Sequence, residues 1–112
     1  MANQEIPHQA ITLQKAISQN PLRQLLGDFK QQQGAKFHLT ALGYFGSYAR
    51  GEARPDSDVD IVFDTTDPDL FMTAILKQDL AVWLNRSVDV IRLHSYLQPK
   101  FKARLEREVI YV

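Results

Sequence analysis

Between Asp58 and Phe63 the chain reads Asp-Val-Asp-Ile-Val-Phe, two acids interleaved with the apolar residues of a strand. Side chains on a strand alternate between two faces, so Asp58 and Asp60 share one face while Val59 and Ile61 point to the other. A fold built on this segment buries one side of a sheet and holds two carboxylates together on the opposite side. Like charges so placed repel unless a positive group stands between them. A hard divalent cation such as Mg²⁺, which takes oxygen ligands, resolves the conflict. Asp89 stands in a further apolar run, Ser87 to Leu93, where a core strand has no packing use for an acid. If the two strands are neighbours, Asp89 completes a three-carboxylate cluster. Such a cluster can hold two Mg²⁺ ions about 3.5–4 Å apart, clamping the attacking and leaving oxygens of a phosphoryl transfer. Residues 56–69 hold six Asp and no Lys or Arg, a local field that favours cations.

The complementary part precedes this strand. Phe37 to Phe45 reads as a buried strand and ends in Gly46-Ser47-Tyr48-Ala49-Arg50-Gly51, a turn or short helix. Glycine after a strand lets backbone N–H groups approach a phosphate, and Ser47 adds a hydroxyl donor. A helix beginning here would favour anions at its N-terminus. Arg50 could contact a triphosphate, or pair instead with Glu52 or Asp56. Each part alone has a plain structural explanation: Gly-Ser as a turn, Asp-x-Asp as a strand end or cap, Asp89 as a partner of Arg92. Their combination carries the information.

The rest of the chain supplies the cover. Apolar positions from His8 to about Gln19 suggest a first helix, probed by Ala10, Ile11, Leu13 and Ile17. Asn20-Pro21 reads as cap and first helical residue of a second, carrying Leu22, Leu25, Leu26 and Phe29 to a left-handed end at Gly34. Asp67-Pro68 opens a long helix to about Asn85, with Leu70, Phe71, Ile75, Leu76, Leu80, Val82, Trp83 and Leu84 on its apolar side. Pro99 to Glu108 reads as a last helix, and Val109 to Val112 as an apolar tail, either an added strand or core plug or part of an interface. Lys100, Lys102, Arg104 and Arg107 read as a solvated face, or as a contact for nucleic acid or an acidic partner. Trp83 belongs to the core, and His8, His38 and His94 lack zinc-ligand spacing. The order helix, helix, strand, strand, helix, strand, helix indicates an α/β (α+β) domain, a small mixed sheet flanked by helices.

The 112 residues are expected to form one domain over 1–112, with 1–19 as a helical extension. Thirteen Lys+Arg against thirteen Asp+Glu exclude the basic excess that bulk nucleic-acid binding needs. Zero cysteines exclude a disulfide scaffold, a thiolate zinc site and a cysteine nucleophile. No apolar run approaches a membrane span, and the start does not read as a signal peptide, so a cytoplasmic location is expected.

The pattern apolar-Gly-Ser, ten residues, Asp-apolar-Asp is similar to the nucleotidyltransferase superfamily that includes DNA polymerase β and the aminoglycoside nucleotidyltransferases. The string Phe45 to Asp60, with Ser87-Val88-Asp89-Val90 and the ending Leu105 to Val112, resembles the minimal nucleotidyltransferases (MNT) over about residues 20–112. The resemblance implies a Mg²⁺- and ATP-dependent transfer of AMP. It also implies an antitoxin of a type VII-like pair, which adds AMP to a tyrosine of a HEPN-type ribonuclease toxin and silences it. By position, Gly46 and Ser47 would hold the triphosphate, with Arg50 beside them. Asp58 and Asp60 would bind both metals, and Asp89 the catalytic one, near the attacking hydroxyl. Two other functions compete: an antitoxin that binds nucleotide and works by complex formation alone, and a transferase for a small molecule or RNA. The nineteen residues after Leu93 are few for a second domain that would grip a small acceptor, which favours a protein that brings its own docking surface.

Overall fold

The computed structural model describes residues 17–94 and 96–112. The first expected helix lies outside the described residues up to Ile17, which packs against the core. Helix α1 spans Gln19–Gln33 and strand β1 Leu39–Phe45; α2 is a single turn, Gly46–Ala49, and β2 runs Val59–Thr65. Helix α3 is Leu70–Leu84, β3 Val88–Arg92, α4 Pro99–Glu108 and β4 Ile110–Tyr111. The four strands form one mixed sheet in the order β3-β2-β1-β4. Strands β2 and β3 are parallel, joined across α3, and the other pairs are antiparallel.

Helices α1 and α3 cover one face, where Leu42, Tyr44, Val59, Ile61 and Phe63 of the sheet meet Leu22, Leu26, Phe29, Leu76 and Leu80. Trp83 Nε1 donates to the Leu25 carbonyl at 2.8 Å and ties the two helices together. Helix α4 covers the other face, where Leu105 is buried with Phe45 and Val62. Leu105 is the one fully buried side chain of α4, so Leu105→Ala should cost about 2–5 kcal/mol of stability, measured by denaturant unfolding. The apolar tail is an added strand: β4 pairs with β1, Gly43 opposite Tyr111 and Tyr44 opposite Ile110. Gly43 permits this approach, because a Cβ there would stand 2.7 Å from the Ile110 carbonyl oxygen.

Several expected details are corrected. Helix α1 is capped by Ser18, so Pro21 sits inside the first turn, where its missing N–H has no helical partner to lose. Gly34 is right-handed (φ −58°); the chain reverses through the following turn, and the left-handed residue is His38 (φ 52°). The cap of α3 is Asp69, whose carboxylate accepts from the N–H groups of Phe71 (2.8 Å) and Met72 (3.1 Å), and its left-handed end is Asn85. Leu70, Phe71 and Val82 do not join its buried side; they are 91%, 74% and 79% exposed. Leu76, Leu80 and Leu84, four residues apart, form the buried stripe and turn those three to solvent. Among the described residues no helix is long and apolar enough to cross a membrane.

Candidate active site

Asp60 is the second residue of β2 and is flanked on both sides. In β3 its register partner is Asp89, and in β1 it lies opposite Phe45. Paired residues of adjacent strands point the same way, so Asp60 and Asp89 share the face that α4 covers. Asp58 comes just before the strand and is exposed, not held within β2 as its spacing suggests; Val59 starts the ladder by donating its N–H to the Ser87 carbonyl at 2.9 Å. Burial, then the neighbouring charges of Asp89 and Asp58, raise the Asp60 carboxyl above its ordinary pKa, against the pull of Arg50 and Arg104. Asp60 and Asp89 stand side by side across the ladder, and Asp58 precedes them at the same end of the sheet.

Gly46 begins α2 at φ +71°, a conformation that favours glycine. A Cβ at Gly46 would also overlap Asp60 Oδ2, so the turn is pressed directly against the carboxylate. The Ser47 carbonyl accepts from Glu52 N–H at 2.8 Å, closing the turn. Arg50 reaches Glu52 (2.9 Å) and Glu108 (3.2 Å), the first being one of its two expected partners. Through Glu108 it fastens α2 to the end of α4. A single turn carries little macrodipole, so backbone N–H groups and the Ser47 hydroxyl are what this turn offers a phosphate.

Asp89 pairs with Lys77 of α3 at 3.8 Å, not with Arg92, which lies 4.0 Å from Asp64. Asp64 also meets His94, at the far end of β2 and apart from this site. One cleft opens on two of the carboxylates, and a second lies on α4 alone. The first, about 450 Å³, runs along α3 and is lined by Asp58, Lys77, Ala81, Ser87 and Asp89. The other, about 550 Å³, runs along α4 and is lined by Lys100, Phe101, Arg104 and Arg107. Lys77 escaped the sequence reading, since nothing in its neighbourhood marks it. Arg104 was visible only as one of several cations on a helix.

A small mixed sheet with a Gly-Ser turn pressed on an Asp-x-Asp strand defines a nucleotidyltransferase-type domain. The chain belongs to the nucleotidyltransferase domain family, whose model matches residues 22–112. It is 36% identical over 92 residues to the protein adenylyltransferase MntA of Thermococcus cleftensis, 81% of this chain and 92% of that protein. Its structure is similar to a solved minimal nucleotidyltransferase (TM-score 0.71, 30% identity, 84% of this chain and 95% of that one). It is also similar to a toxin–antitoxin structure with AMP-PNP (TM-score 0.62, 26% identity, 85% of this chain and 72% of that one).

Proposed function

We propose that this chain is a protein adenylyltransferase. It moves AMP from ATP onto a hydroxyl, that of a tyrosine, on a HEPN-type ribonuclease toxin, and so acts as the antitoxin of the pair. The observation that carries this reading is Asp60, pressed against the Gly46 turn on one side and paired with Asp89 across the ladder on the other. The name of the Thermococcus relative and the toxin–antitoxin likeness support it. The cytoplasm, which holds ATP, is the setting that fits it.

The donor set fits Mg²⁺: three carboxylates whose mutual repulsion already registers at Asp60. Among the described residues no three such side chains stand gathered as a finished cage, and Asp89 leans on Lys77. Asp58, Asp60 and Asp89 would hold the metal, two ions, which when bound offset the charge of the triphosphate and polarise the reacting oxygens. The chain's own residues do the rest. The Gly46-Ser47 turn orients the triphosphate with its α-phosphorus toward the carboxylates. The acceptor oxygen forms a bond to that phosphorus as the bond to the bridging oxygen breaks, and pyrophosphate leaves with the electron pair. Asp89, 58% exposed, takes the hydroxyl proton.

ATP labelled on its α-phosphate, with Mg²⁺ and extract of the native host, tests this directly. Wild type should label one small protein band, and Asp58→Asn/Asp60→Asn none. Equal co-purification of both forms with a partner that neither labels would leave complex formation as the mode of neutralisation. Label on RNA or a small molecule in place of protein would move the acceptor to another class.

A further inference from the structure

Helix α4 carries Lys100, Arg104 and Arg107 at spacings of four and three, one stripe along the wall of the 550 Å³ cleft. Leu105 anchors the other side of the helix against Phe45 and Val62, and Phe45 lies opposite Asp60 in the sheet, so the stripe faces outward on the face of the sheet that carries Asp60. Arg104 is set apart within it. Its guanidinium lies 5.6 Å from the centre of the Phe101 ring. That ring packs edge-on at 6.1 Å against Phe45, the residue before Gly46. Among the described residues Arg104 meets an aromatic face and no carboxylate, whereas Arg50 is engaged by Glu52 and Glu108.

We infer that Arg104, flanked by Lys100 and Arg107, takes the β- and γ-phosphates of ATP, the part that departs as pyrophosphate, and that Arg50 is a positioning residue that fastens α4 beside the Gly46-Ser47 turn. This rests on the AMP-transfer reading above. A guanidinium parked on an aromatic ring is oriented without being neutralised, and its planar fork matches two phosphate oxygens. Negative charge grows on the bridging oxygen as the α-phosphorus bond breaks, so a cation on the departing side stabilises that charge as well as the ground state. From Lys100 to Arg107 the helix rises only about 10 Å, the scale of one triphosphate and short for a nucleic-acid track. The zero net charge also disfavours a long polyanion.

The test is calorimetry on the full chain with Mg²⁺, titrating AMP-PNP, pyrophosphate and AMP separately. Arg104→Gln should weaken AMP-PNP and pyrophosphate about 10- to 100-fold and leave AMP within about twofold. Arg104→Lys should recover only part, because an ammonium lacks the fork. Arg50→Gln should weaken all three ligands together, as a displaced helix would. Arg104 is exposed, so the unfolding midpoint without ligand should not move with its substitution. Wild-type affinity for AMP-PNP in Arg104→Gln, or equal loss of AMP and AMP-PNP, would overturn the inference. So would loss of partner or RNA capture with nucleotide affinity intact. A wild type that binds neither AMP-PNP nor AMP would instead bring down the transfer reading itself.

Discussion

Replacing Asp60 with asparagine should reduce AMP transfer at least about 10²-fold, the scale on which single electrostatic contacts to a reacting centre act, while making the metal-free protein more stable near neutral pH. The two effects share one cause. Burial, then Asp89 and Asp58, hold the Asp60 carboxyl above its ordinary value of 3.8. In the unfolded chain this group ionises first, so the folded state binds more protons over the pH range just above that value. The associated stability is present in full below the ordinary aspartate value and is lost as pH rises through the raised one. Asparagine carries no such penalty. Thermal unfolding in the presence of a chelator, from pH 3.5 to 7.5, should show the variant gaining on wild type as pH rises and losing its advantage in acid. A constant difference across that range would mean that the carboxylate charge is not the source. A site that weakens its own fold in this way is one whose residues answer to chemistry before packing.

The second large effect is expected from one methyl group. Gly46→Ala places a Cβ onto Asp60 Oδ2 and asks alanine to hold φ +71°. The backbone strain alone is about 1–2 kcal/mol, and the overlap forces the turn or the carboxylate to move. Transfer should fall by two orders of magnitude or more, since an error of about 1 Å in alignment has that effect. The double variant Gly46→Ala/Asp60→Ala separates the parts. Removing the carboxylate should return the portion of stability lost to overlap and leave the strain, an interaction energy readable in a double-mutant cycle. Strict additivity would show that the turn does not press on Asp60.

The strands, and the candidate site set on them, were the most legible parts of this chain. Asp58-Val59-Asp60-Ile61 declares both a buried face and a charged one, and Pro99 to Glu108 coincides with α4 at both ends. The long helix α3 was legible in length and not in orientation. It is apolar nearly all the way round, so Leu70, Phe71 and Val82 carried no mark to separate them from Leu76, Leu80 and Leu84. Its start lies past the expected Asp67-Pro68, at Asp69, because both acids are competent caps and only backbone geometry chooses. Gly34 misled for a related reason: His38, a bulkier residue, takes the left-handed position in the turn that follows. Pairings between distant elements, Asp89 with Lys77 and Arg50 with Glu108, depend on how helices seat on the sheet. No local spacing encodes them.

The parallel pairing of β2 with β3 sets Asp60 beside Asp89, and the Val59 N–H to Ser87 carbonyl bond fixes where that pairing begins. Slipping one strand by a single position would turn all of its side chains over. Asp89 would then face α3's side of the sheet, and Val88 or Val90 would stand where the proposed transfer needs a carboxylate. The chemistry is therefore written in a frame, much as codons are. Within the Asn85-Arg86-Ser87 connection, losing one residue threatens activity more than exchanging any one side chain there, and variation in length has more room in the loop from Glu52 to Ser57, upstream of the frame's first letter.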